Sequence, residues 1–190
     1  MAVRQASAAR SGAFTGTIQD QGEQARVSFA GTRDGSRVDV TKVAAKAGSV
    51  RLVSVGGSVF VKADGTFWSS QKVPFIVSIA GDRFITVPAG VVPILDELTL
   101  ASFVDRSIAT FPADDLSATV GEQTVAQVPC WVLTTGTGNP ADGALYVAKE
   151  TSDVVRWVGT KKQPGRLDFS RWNTDLGITA PPDDQVFSVG

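Results

Sequence analysis

Residues 12–43 read GAFTGTIQDQGEQARVSFAGTRDGSRVDVTKV. Apolar and polar residues alternate through this run, and Gly22, Gly31 and Gly35 stand where turns are wanted. A strand sends successive side chains to opposite faces. Phe14 therefore shares a face with Gly16, Val27 with Phe29, and Val38 with Val40, while Arg26, Ser28, Arg37 and Asp39 fall on the other face. This is the pattern of an antiparallel sheet with one dry face and one wet face. Turns recurring at about 8–12 residues mark a meander, and Asp34-Gly35 is a pair that tolerates positive φ in a hairpin. Strands are expected near 13–20, 24–31 and 36–43, and the same texture predicts strands near 49–55, 58–63 and 66–69.

Further along, GGSVFVKADGTFWS (56–69) reads as a hairpin entered at Gly56-Gly57, with a second turn at Asp64-Gly65 before Phe67 and Trp68. The segment KVPFIVSIAGDRF (72–84) suits a strand by its Ile, Val and Phe content. It equally suits a short helix with Pro74 in the first turn and Gly81 at its end. Residues 91–111 read as helical: Leu100, Phe103, Val104, Ser107, Ile108 and Phe111 recur at steps of three and four, and Pro112 ends the run. Strand texture then resumes in TVAQVPCWVLTT, ALYVAKET, DVVRWVGTKK and GRLDFSRWN. The C-terminal stretch, with Pro181-Pro182, reads as an extended irregular strap. Residues 1–11 are read as a frayed tail or the end of a shortened helix, and the whole of 1–190 as one domain. An apolar face on so long a sheet must curl or be covered, and the 95–111 helix is the amphipathic element able to cover it.

Composition narrows the chemistry. Of 190 residues, 43% are hydrophobic and 19% charged, a globular balance. A net charge of −1 with scattered Lys and Arg argues against bulk phosphate attraction, so no nucleic acid partner is expected. Histidine is absent, which removes Ser-His-Asp and Cys-His catalysis and most catalytic zinc sites. The one cysteine, Cys130, has apolar neighbours and reads as a packed, inert thiol. The pairs Asp114-Asp115 and Asp183-Asp184 lie beside prolines and read as solvated turn residues. No loop has the spaced ligands of a calcium site. No catalytic residue, metal or cofactor is expected. No membrane-spanning or signal segment is read in the chain, so either a cytoplasmic location or the removal of an export signal fits it.

Three stretches carry a family resemblance. They are VRLVSVGGSVFVKADGTFW (50–68), GDRFITVPAG (81–90) and DVVRWVGTKKQPGRLDFSRWNTDLGITAPPDD (153–184), the last with Phe169, Ser170, Trp172, Asn173, Pro181 and Pro182 in the family's C-terminal pattern. The chain resembles bacterial cell-envelope lipoproteins of the LppX/LprG type and, more distantly, LolA-like lipoprotein carriers. Phe60 and Phe84 stand where that family has Tyr and Trp. The family's long N-terminal helix and lipobox cysteine are not in this chain.

The resemblance implies an α+β, mainly antiparallel fold: a half-open β-barrel of about ten or eleven strands, with KVPFIVSIAG (72–81) forming the short helix and a lid helix over the concave face. It implies a non-catalytic, extracytoplasmic carrier, membrane-associated through a missing N-terminal lipid anchor. Its partner would be a lipid or acylated ligand held in an apolar cavity. The residues expected to line that cavity are Phe14, Val27, Phe29, Val59, Val61, Leu100, Phe103, Val104, Ile108 and Phe111. An alternative on the same fold is a module that binds an envelope protein partner.

Overall fold

The computed structural model describes residues 2–20, 22–32, 35–42, 48–70, 72, 74–88, 99–100, 104, 116–136 and 138–187. The first meander comprises β1 (Ser11–Asp20), β2 (Glu23–Thr32), β3 (Gly35–Lys42), β4 (Ser49–Val55), β5 (Ser58–Ala63) and β6 (Phe84–Pro88). The second comprises β7 (Leu116–Val125), β8 (Val128–Thr135), β9 (Ala144–Ala148), β10 (Val154–Val158) and β11 (Gly165–Ser170), and the chain ends on the short β12 (Val186–Phe187). All belong to one 12-stranded sheet in the order β12-β6-β5-β4-β3-β2-β1-β11-β10-β9-β8-β7. Its pairings are antiparallel except the parallel join of β12 to β6. The sheet is curved and unclosed, a half-open barrel with a few short helices. Among the described residues no helix is long and apolar enough to cross a membrane.

The two meanders meet where β1 pairs with β11, in a register that sets Phe14 opposite Phe169 and Gly16 opposite Leu167. The C-terminal motif locks this join. Asn173 donates its N–H to the Ser11 carbonyl at 3.0 Å and accepts from the Arg10 N–H through Oδ1 at 2.9 Å. Ser11 Oγ donates to the Thr174 carbonyl at 2.6 Å. Asn173 adopts φ 55°, a left-handed turn that Asn accommodates better than most residues. Trp172 stacks on Phe169 with ring centroids 5.7 Å apart and donates its Nε1–H to the Val154 carbonyl at 2.8 Å. Its ring lies over Gly12, where a Cβ would come within 2.9 Å of it.

Helix α1 (Ala2–Ala8) packs Ala6 into the main core. The expected strand at 66–69 is instead helix α2 (Gly65–Ser70). The cause is Asp64, whose Oδ1 accepts from the Phe67 N–H at 2.8 Å, the geometry of a helix N-cap rather than a hairpin turn. Its Oδ2 meanwhile ties down β4 by accepting from the Ser49 N–H at 2.7 Å and hydroxyl at 2.8 Å. In the 72–84 segment the helical alternative holds: α3 (Phe75–Ala80) has Pro74 at its N-cap, and Gly81 ends it with φ 60°.

TVAQVPCWVLTT (124–135) spans two strands rather than one. β7 and β8 turn through Ala126-Gln127, both at positive φ (47° and 69°). Asp34 and most of the 91–111 helix lie outside the described residues, except that Leu100 and Val104 are helical and buried.

Two outcomes are expected. A Cβ at Gly16 would sit 1.9 Å from the Arg166 carbonyl oxygen, so Gly16→Ala forces β1 and β11 apart. It should cost about 1–3 kcal/mol in urea unfolding. Gly121→Ala meets only Val132 at 3.6 Å and serves as a near-neutral control.

For Asp64, desolvation raises the carboxyl pKa, but hydrogen bonds from Phe67, Ser49 and Thr66 together outweigh it and hold it below 3.8. A depressed folded pKa gives stability that is complete above the unfolded value and is lost as pH falls through the folded one. Asp64→Ala should therefore cost about 0.5–2 kcal/mol at neutral pH. Its deficit against the parent chain should shrink as pH drops below about 4, as measured by urea midpoints across pH.

Candidate functional site on the concave face

The strand registers line up apolar side chains in two rows along the inner face. One row runs Phe169, Phe14, Phe29, Val38, Leu52, Val61 and Ile85, each directly opposite the next across β11, β1, β2, β3, β4, β5 and β6. The other runs Leu133, Leu145, Trp157 and Leu167, passes Gly16, and continues through Val27, Val40 and Val50. Cross-strand neighbours of this kind sit about 4.5–5.5 Å apart at Cβ, so the first row is a continuous apolar ridge and the second is interrupted at Gly16. Phe14 and Phe29 stack at 4.8 Å with planes 7° apart, and Phe169 leans on Phe14 at 5.5 Å.

Phe14, Val27, Phe29, Val59, Val61, Leu100 and Val104 all fall in this one buried cluster. Leu100 and Val104 are 3% and 0% exposed, so these two side chains are packed into the core cluster rather than standing off it. Leu100 reaches Gly12, lying 3.3 Å from where a Cβ would be. Phe103, Ile108 and Phe111 lie outside the described residues. Leu145, Trp157, Leu167 and Phe169 complete the face; Phe169 was named from sequence only as part of the C-terminal pattern, and the other three were not singled out. Their signal was present in the strand texture of ALYVA, DVVRWV and GRLDFS, but only the β1–β11 pairing puts them beside Phe14.

This face offers alkyl contact and little else. Cys130 is on the opposite side, in a smaller cluster with Val125, Val132, Ala144 and Tyr146. It is fully buried, with Sγ 3.3 Å from the Val128 carbonyl, and burial pushes its thiol pKa up, which makes it a poor nucleophile at neutral pH. Asp183 and Asp184 are exposed in a single 3-10 turn, while Asp114 and Asp115 lie outside the described residues.

One apolar surface lies outside the core. Helix α3, FIVSIA, buries only Ala80 and leaves Phe75, Val77 and Ile79 at 57%, 39% and 47% exposure. Five of its six side chains are apolar, more than one buried stripe can take in.

No family model and no curated protein matches the chain. Among solved structures, an uncharacterized conserved protein from Thermus thermophilus is similar, with 14% identity, a TM-score of 0.41, and coverage of 97% of this chain and 93% of that one. The complex of MucA and MucB from Pseudomonas aeruginosa aligns at 18% identity and a TM-score of 0.37, and MucB alone at 15% and 0.36. This chain spans 59% and 60% of the length of those two chains.

Proposed function

We propose that this protein is a non-catalytic, extracytoplasmic carrier that holds the acyl chains of a lipid or acylated ligand against its concave sheet face. The observation that supports this reading is the pair of apolar rows, the second interrupted at Gly16, with Leu100 and Val104 packed in the same cluster. Each CH₂ removed from water contributes about 0.8 kcal/mol, so a dry face between a curved sheet and a cover binds an alkyl chain without any reacting group. An envelope location and membrane association belong to the same proposal.

A second reading, a protein-interaction module on this fold, is favoured by the exposed Phe75, Val77 and Ile79 of α3. It also fits the close seating of Leu100 and Val104.

Native mass spectrometry separates the two. Protein purified from a lipid-containing host should carry one acyl lipid that solvent extraction releases, and Phe75→Ser with Ile79→Ser should retain it. An apo mass that persists after incubation with phospholipid and glycolipid contradicts the carrier reading and favours the interaction module.

A further inference from the structure

Over β2 to β5, β10 and β11 the outer face of the sheet carries more cations than carboxylates. Arg26, Arg37, Arg51, Lys62, Arg156 and Arg166 all project from it, as the registers fix. Arg51 pairs with Asp39, Lys62 with Asp82 at 3.0 Å, and Asp168 serves both Arg156 and Arg166. Among the described residues Arg26 and Arg37 have no ion-pair partner. The excess is local, because the whole chain carries −1.

On this face the C-terminal strap builds a groove. Residues 178–182 cross the outer side of β3 and β4, and Ile178 packs 3.7 Å from the Cβ position of Gly35. The strap then docks as β12 beside β6, with Val186 opposite Phe84. The space left beneath it, about 190 Å³, is lined by Arg37 and Arg51, by Val53 and Phe84, and by Ile178 and Pro181 of the strap. Val53 and Phe84 are each 5% exposed. Arg37 stands opposite Val53 and Asp39 opposite Arg51, so the two arginines are diagonal neighbours. Such neighbours are within mutual reach of long side chains. Asp39 already pairs with Arg51, which leaves Arg37 as the groove's cation with no ion-pair partner among the described residues, and a carboxylate bound there gains charge-assisted hydrogen bonds.

We infer that this groove binds an extended acidic segment of a partner protein. A carboxylate would lie on Arg37 and Arg51, and a neighbouring apolar side chain would rest on Phe84 and Pro181. A space of about 190 Å³ takes one or two side chains, which suits a peptide rather than the flat headgroup layer of a membrane. It lies on the opposite side of the sheet from the acyl face, so it does not depend on lipid binding, and either reading can fail while the other stands.

The test is NMR titration of the full chain, following arginine Nε–H and backbone amide signals. The probe is an acetylated peptide of alternating Glu and Leu, with a Lys-Leu peptide, sodium acetate and anionic phospholipid vesicles run in parallel. The proposal expects saturable, salt-sensitive shifts at Arg37, Arg51, Phe84 and Ile178 with the Glu-Leu peptide alone. Arg37→Gln, an exposed change whose melting temperature should match the parent, should weaken binding at least ten-fold. No saturable shift at these residues overturns the proposal. Equal shifts with acetate assign the groove to a small free anion, equal shifts with vesicles assign the face to a membrane, and either result also overturns it.

Discussion

Everything in this fold depends on the seam between β1 and β11. Without that pairing there are two separate meanders, each with an apolar face too short to enclose anything. With it, Phe169 stands opposite Phe14 and Leu167 opposite Gly16, and the two inner faces become one. The seam is close because a glycine allows it, and a Cβ at that position has no room against the Arg166 carbonyl. It is held at one end by backbone and side-chain bonds from Asn173 and Thr174 to Arg10 and Ser11. Trp172 covers the same end, its ring on Phe169 and its N–H satisfied by Val154. A half-buried Trp with a bonded N–H combines large apolar contact with no orphaned donor.

The two faces of the sheet then divide the protein's chemistry. The inner face has aligned phenylalanines and branched aliphatics, with Leu100 and Val104 set on it. The outer face has arginines and their paired Asp39 and Asp168, a small apolar cluster around Cys130, and a strap drawn across one corner. One-residue alternation along each strand produces both at once, since any slip in register would exchange the acyl-type surface for the charged one.

Much of this was legible in the sequence, and the exceptions have physical causes. Alternation through 12–43 identified the strands and the dry side of β1, β2 and β3, because a period of two is a direct consequence of strand geometry. The helix at Phe75–Ala80 was open between two states from the residues alone, and Pro74 and Gly81 proved to be its ends. The stretch at 66–69 misled because Phe67 and Trp68 look strand-like, while the deciding group was the carboxylate of Asp64, which can cap a helix as easily as it makes a turn. The turn at Ala126-Gln127 had no sequence signal, since neither residue favours the positive φ it adopts, and the antiparallel pairing of β7 and β8 imposes it. Least legible was which strands meet. Leu145, Trp157 and Leu167 could not be assigned to the same face as Phe14 until the seam was known, because non-local pairing leaves no mark in a local pattern.

The most direct measurement of the central claim is methyl NMR of the Leu- and Val-labelled chain with doxyl-labelled stearate. If the inner face holds acyl chains, the label should broaden the methyl signals of Val27, Val61, Leu145 and Leu167, all on that face. Val53 and Val132, on the outer side, should stay sharp. Uniform broadening, or broadening confined to the outer face, would contradict the account.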